Sequence, residues 1–158
     1  MTAARILDIA RDAKLRIATA ESCTGGMVAA ALTEVAGSSD VFERGFVTYS
    51  NIAKQEMLGV ARTTLERFGA VSEQVAREMA EGALAHSHAQ LAVSITGVAG
   101  PGASEFKPEG QVCFGLAMAG RVTDVETQEF GPRGREWVRN AAREHALLLL
   151  LAALSDPV

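Results

Sequence analysis

Ser22 and Lys54 are the two side chains of this 158-residue chain that could together perform nucleophilic chemistry. A serine hydroxyl is a weak nucleophile and needs a base within about 3 Å. The histidines are poor bases for it, since His86 and His88 lie two apart on a predicted helix and His145 lies in an apolar one. Lys54 remains, provided that its pKa falls from about 10.4 to near 7, a change worth about 4 kcal/mol that burial or a neighbouring cation supplies.

The neighbours of this pair have more than one interpretation. Tyr49 could relay a proton or hold Lys54 in place, although its local sequence equally fits a half-buried strand aromatic, and Lys54 itself a solvent-exposed helix lysine. Cys23 is a rival nucleophile, because thiols at helix N-termini acidify. Glu21 could orient Lys54 or accept a hydrogen bond from a nearby backbone N–H.

The serine lies in a predicted strand, sharp turn and helix that span residues 16–32. The N–H groups and positive dipole at the start of the helix, with Gly25 and Gly26 beside them, suit a phosphate or a transient oxyanion. The same residues also fit an ordinary turn in which Thr24 is the N-cap.

A second glycine-rich segment follows the apolar run at residues 90–96. Thr96 and Gly97 stand at the predicted strand end, and the loop through Gly100 and Gly102 continues to residue 110. Loops of this length in a compact domain are usually functional or disordered, and backbone N–H groups here could cradle a phosphate or a sugar.

Arg135 and Arg139 lie one turn apart in the first turns of the last predicted helix, where the helix dipole disfavours cations. A nearby anion would offset that cost. Substrate phosphate is one candidate, and a carboxylate of this or another chain is the other.

Helical and strand periodicities alternate along the chain, and two of the strands form a hairpin that is necessarily antiparallel, which predicts an α/β layered fold with a mixed sheet. The carboxyl ends of strands are where ligands bind in open α/β sheets, so Ser22, Tyr49, Lys54 and Thr96 are expected at one edge. The predicted helices cover residues 4–15, 24–35, 52–58, 62–68, 72–84 and 136–154, and the strands cover 16–20, 45–49, 90–96, 111–118 and 122–128. Asn51 is the predicted cap of the third helix.

Composition limits the partners. The net charge is −4 and no Lys/Arg-rich run occurs, which argues against nucleic acid or an anionic membrane as a partner.

Two cysteines without a spaced framework favour reduced thiols in a cytoplasmic protein, and neither a signal peptide nor a zinc pattern is evident. We expect a single domain over residues 1–158. The apolar end of the last helix, residues 146–154, predicts a homo-oligomer.

Several motifs in the same order resemble those of the CinA C-terminal domain family, whose members often carry the label competence- or damage-inducible protein. The resemblance covers about residues 5–154. It is carried by residues 20–26, 37–39, 48–51 with Lys54, 69–72, 96–102, and Arg135 with Arg139.

The resemblance implies a three-layer α/β/α sandwich with a mixed, mostly parallel sheet. It also implies a nicotinamide-nucleotide amidohydrolase of pyridine nucleotide recycling, with no metal or other cofactor. Ser22 would attack the carboxamide carbon, Lys54 would be the base and Tyr49 would assist. Backbone groups near Thr24, Gly25 and Gly26, or near Thr96 and Gly97, would stabilise the oxyanion.

The chain departs from the family pattern at Arg44, where a glycine is common, and at residues 103–106, which replace a more glycine-rich stretch and bear on substrate preference. The larger N-terminal domain of some members is absent from this sequence, as in a stand-alone form. A non-catalytic nucleotide-binding module and a serine hydrolase of another small amide or ester remain as alternatives.

Overall fold

A five-stranded mixed sheet forms the middle layer, with strand order β2-β1-β3-β4-β5. The computed structural model describes residues 1–104 and 106–155. The strands are β1 Ile17–Glu21, β2 Phe42–Val47, β3 Leu91–Gly97, β4 Gln111–Met118 and β5 Asp124–Glu129. The helices are α1 Thr2–Asp12, α2 Met27–Thr33, α3 Asn51–Leu58, α4 Arg62–Phe68, α5 Glu73–Ala85 and α6 Arg135–Ser155, with a 3-10 turn at Ser38–Asp40.

Strand β1 pairs in parallel with β2 and β3, and β4 runs antiparallel to β3 and β5. Only β4 therefore points against the other strands, as the mixed, mostly parallel sheet requires. Strands β1 and β3 are the most deeply buried, and their near-continuous apolar residues are typical of strands covered on both faces.

Helices α1, α2 and α6 cover one face of the sheet and α3, α4 and α5 cover the other. On the first face the core includes Ile6, Leu7, Leu32, Val138 and Leu150. A second cluster lies under the other helices. The three-layer α/β/α prediction is confirmed.

Two predicted helix starts are wrong. Helix α2 begins at Met27 rather than at residue 24, because Gly25 and Gly26 adopt left-handed φ angles of 58° and 106° that a helix cannot continue through. The cap of α3 is Ser50 rather than Asn51, since the Ser50 hydroxyl accepts a hydrogen bond from Ala53 N at 3.0 Å.

The packing of α5 on α3 depends on Gly82. A Cβ at this position would overlap the backbone carbonyl of Leu58, the last residue of the helix that carries Lys54. We expect Gly82→Ala to destabilise the fold by about 1–3 kcal/mol, as overpacking does, and to lower the thermal unfolding midpoint by roughly 3–10 °C. The exposed Ala85→Ser on the same helix is the control, and an unchanged midpoint for Gly82→Ala would contradict this packing.

Candidate active site

Ser22 lies directly after the carboxyl end of β1, between the ends of its two neighbouring strands. Its backbone N–H donates to Ile95 O of β3 at 2.9 Å. On the other side, Thr48 N donates to Glu21 O at 2.8 Å. The sheet thus fixes the serine at the edge where the sequence placed it.

Lys54 is brought to Ser22 by α3, which begins just after β2. Its side chain is almost completely buried, with 2% exposure. The Nζ atom lies 2.9 Å from Ser22 Oγ and donates to Thr48 O, also at 2.9 Å. The alternative of a solvent-exposed lysine is therefore wrong.

These two side chains open into a cavity of about 280 Å³. Its walls include Cys23, Tyr49, Arg135 and residues 96–104. Tyr49 is 59% exposed rather than half-buried, and its hydroxyl accepts a hydrogen bond from Arg135 at 2.6 Å. Tyr49 therefore lies at the mouth of the cavity.

Glu21 takes the second of the two roles considered for it. Its fully buried carboxylate accepts hydrogen bonds from Val28 N at 2.9 Å, Ala29 N at 3.0 Å and the Thr24 hydroxyl at 2.6 Å. The anion at the start of α2 is thus a side chain of the protein, which occupies N–H groups that the sequence had suggested for a ligand.

The predicted binding residues divide into two groups. Thr24, Gly25 and Gly26 form the turn behind Ser22 and do not line the cavity, whereas Thr96, Gly97, Gly100 and Gly102 do. The Thr96 hydroxyl donates to Ala70 O at 2.7 Å. At Gly97 a Cβ would come within 2.7 Å of the Val112 side chain, so this glycine also serves sheet packing.

The two arginines of α6 make different contacts. Arg135 lines the cavity and donates to Gly100 O at 2.7 Å as well as to Tyr49. Arg139 does not line it and instead donates to Cys23 O at 3.0 Å and Thr24 O at 3.3 Å. In the described part of the chain neither arginine pairs with a carboxylate. A carboxylate of another chain stays a prediction.

Cys23 is a poor nucleophile in this setting. Burial raises the pKa of its thiol to about 12, which keeps it protonated at neutral pH, and only the thiolate attacks. The histidines are also elsewhere: His86 and His88 follow the end of α5 rather than sitting on it, and His145 pairs with Glu126.

We expect Cys23→Ala to keep the catalytic activity of the protein within about threefold, because a neutral thiol supplies no nucleophile. Ser22→Ala is the comparison, assayed on the same substrate. Loss of activity in Cys23→Ala with an unchanged thermal unfolding midpoint would restore the cysteine as a candidate.

Sequence reasoning missed Glu109, which positions both the glycine loop and Arg135. Its carboxylate accepts from Gly102 N at 2.7 Å and from Gly134 N at 3.1 Å, so it ties the loop to the start of α6. Nothing in its local sequence distinguishes it from an ordinary loop glutamate.

The two departures from the family pattern lie at different distances from the cavity. Arg44 pairs with Glu43 and donates to His86 O, away from the lining residues. Ala103 and Ser104 line the cavity and Phe106 is fully exposed, while Glu105 lies outside the described residues.

The described residues include neither a membrane-spanning helix nor a group of metal ligands. No helix among them is long and apolar enough to cross a membrane. No three of their His, Cys, Asp or Glu side chains are grouped as metal ligands would be.

Curated relatives share more than half of their aligned residues with this chain. A nicotinamide-nucleotide amidohydrolase PncC of Enterobacter agglomerans is 56% identical over 119 residues, 74% of this chain and 73% of that protein. The PncC of Escherichia coli K12 is 53% identical over 85% of this chain and 81% of its own length. A CinA-like protein of Chlorobium phaeobacteroides is 54% identical over 87% of this chain, which matches only 34% of that longer protein.

Solved structures agree with the fold. The competence/damage inducible protein CihA of Agrobacterium tumefaciens superposes with a TM-score of 0.94 at 47% identity, covering 98% of this chain and 94% of that one. The competence damage-inducible protein A of Klebsiella pneumoniae gives 0.93 at 35% identity, with coverage of 98% and 95%. The profile of the CinA C-terminal domain matches residues 1–154, from the first helix to the end of α6. The match to the family profile, the identity to these relatives and the shared fold together show that the chain belongs to the CinA C-terminal domain family.

Proposed function

We propose that the chain hydrolyses the carboxamide of nicotinamide mononucleotide to nicotinate mononucleotide and ammonia. The observation that carries this proposal is the 2.9 Å distance between Ser22 Oγ and Lys54 Nζ at the base of a cavity. Relatives at 53–56% identity are named for that activity. A nucleophile in hydrogen-bond contact with a buried base is the arrangement that amide hydrolysis through an acyl-enzyme requires.

In the proposed mechanism the neutral amine of Lys54 takes the hydroxyl proton of Ser22 as Oγ bonds to the carboxamide carbon. The resulting oxyanion collapses, the C–N bond breaks, and Lys54 returns its proton to the departing nitrogen, which leaves as ammonia. Lys54 then removes a proton from water, whose oxygen attacks the ester carbon. The acid is released and Ser22 regains its proton. The Thr48 carbonyl holds the amine in place throughout.

We assign the substrate phosphate to Arg135, because its guanidinium lines the cavity and a planar fork of donors suits phosphate oxygens. Residues 96–104 would enclose the rest of the nucleotide. Tyr49 would contact the substrate at the mouth of the cavity, where its hydrogen bond from Arg135 holds it. No cofactor is required by this scheme.

The test measures ammonia release from nicotinamide mononucleotide by the purified protein, with and without EDTA, beside plain nicotinamide. We expect release from the nucleotide alone, and equal rates with the chelator. Equal release from nicotinamide would refute the nucleotide assignment. Binding without release would favour a nucleotide-binding module, and release from unrelated small amides would favour a broader serine hydrolase.

We also propose a homo-oligomer with a single domain in each subunit. Leu148 on α6 is 53% exposed, and Val122 is 85% exposed beside Leu149 and Ala153 in a groove of about 650 Å³. Apolar side chains exposed together mark interaction surfaces more often than isolated ones do. Sedimentation that detects only monomer at micromolar concentration would contradict this.

A further inference from the structure

Three backbone carbonyls of the turn after Ser22 accept hydrogen bonds. Ser22 O accepts from Gly25 N at 3.0 Å, and Thr24 O accepts from Met27 N at 3.0 Å. Arg139 supplies the remaining donors, Nε to Cys23 O and a terminal nitrogen to Thr24 O. The carbonyls of Ser22, Cys23 and Thr24 are therefore all occupied by donors of the protein.

The N–H groups of Cys23 and Thr24 differ from that of Gly25, which donates to Ser22 O within the turn. In a trans peptide the N–H points away from its own carbonyl, so fixing Cys23 O also fixes the direction of Thr24 N–H. No hydrogen bond within the described residues uses Thr24 N–H, and Cys23 N–H has no acceptor there beyond its own sulfur. N–H groups just after a nucleophile are the usual donors to the oxyanion of acyl transfer.

Arg139 is placed to control this orientation rather than to bind substrate. It is absent from the lining of the cavity that Cys23 and Ser22 share. Its guanidinium packs against the turn closely enough that a Cβ on Gly25 would lie 3.3 Å from it. Arg135, one turn earlier on α6, points its guanidinium to Tyr49 and Gly100 instead.

We propose that Arg139 is a positioning residue, which holds the Cys23–Thr24 peptide so that the Thr24 N–H, beside that of Cys23, donates to the oxyanion formed on Ser22. The inference rests on the proposed amidohydrolase function. It also replaces the expectation, drawn from the sequence, that Arg139 contacts the substrate phosphate.

The test compares three arginines of one helix. For Arg139→Ala we expect kcat to fall about 10- to 100-fold, less than the roughly 100- to 1,000-fold for removing an oxyanion donor outright, with KM for nicotinamide mononucleotide within about threefold. Arg139→Lys should be intermediate, and millimolar guanidinium should restore part of the kcat of Arg139→Ala. Arg135→Ala should instead raise KM, and Arg143→Ala, whose guanidinium contacts only Glu144 among the described residues, should match the wild type.

Three results would overturn the proposal. One is a raised KM with unchanged kcat in Arg139→Ala, which would make it a substrate ligand. Another is no effect at all. The third is a loss of activity that neither lysine nor guanidinium restores and that follows a lower thermal unfolding midpoint, which would reduce Arg139 to a folding role.

The wild-type assay keeps this test separate from that of the proposed function. If the wild type released no ammonia, the amidohydrolase proposal would fail by itself. The rate at which a fluorophosphonate probe labels Ser22 would then be compared between wild type and Arg139→Ala. A drop of about tenfold or more supports the positioning role, since the phosphonyl oxygen needs the same donors, and equal rates contradict it.

Discussion

Lys54→Met is expected to lower kcat for carboxamide hydrolysis by about 10²- to 10⁴-fold, the usual contribution of a general acid–base group. Methionine keeps most of the buried volume but can neither accept the proton of Ser22 nor return one to the leaving nitrogen. Nucleotide binding, measured by calorimetry with nicotinate mononucleotide, should persist, because Arg135 and residues 96–104 are untouched. A binding module would lose little on this substitution, whereas an enzyme loses turnover.

Ser22→Ala and the double variant sharpen this expectation. Because the two side chains act as one unit, the Ser22→Ala, Lys54→Met double variant should be no slower than the worse single variant. The exposed Lys14→Met serves as a charge-matched control and should keep wild-type rates. If Lys54→Met retained more than a tenth of the wild-type kcat, the base would have to be another group.

Glu21→Ala is expected to be the most destabilising single change at the site. It leaves the buried N–H of Val28, the partly buried N–H of Ala29 and the Thr24 hydroxyl without the carboxylate that accepts their hydrogen bonds. Unsatisfied buried polar groups cost about 1–3 kcal/mol each, part of which the hydroxyl avoids by rotating, so we expect a loss of about 2–4 kcal/mol. That corresponds to a thermal unfolding midpoint lower by roughly 5–15 °C.

The stability of Glu21→Gln should lie between those of the wild type and Glu21→Ala. The amide oxygen of glutamine still accepts a hydrogen bond, whereas its NH₂ group faces another donor. Glu34→Ala is the control, an exposed glutamate at the other end of α2 whose loss should change stability by less than about 0.5 kcal/mol. If Glu21→Ala had the same thermal unfolding midpoint as the wild type, the carboxylate would not stabilise this turn.

The proposed roles of Ser22 and Lys54 came from residue type and place along the chain. Both follow predicted strands, and the carboxyl ends of parallel strands meet at one edge of a sheet. The end of α3 at Leu58 and both bounds of α4 were likewise within local reach, because turns and caps depend on neighbouring residues. The start of α2 was not, because two glycines in left-handed conformation look from sequence like an ordinary helix entrance.

The sequence by itself determined the alternation of helices and strands, the family and the serine–lysine pair, since each depends on local pattern or on motifs in order. Only the tertiary structure decided which groups those side chains meet. In the folded chain Lys54 is buried against Ser22, and Glu21 faces α2. Arg139 contacts Cys23, 116 residues away in the sequence. Arg135 contacts Tyr49, 86 residues away. Such contacts depend on how distant elements pack, and a one-turn spacing on a helix contains no information about the partners that the packing brings.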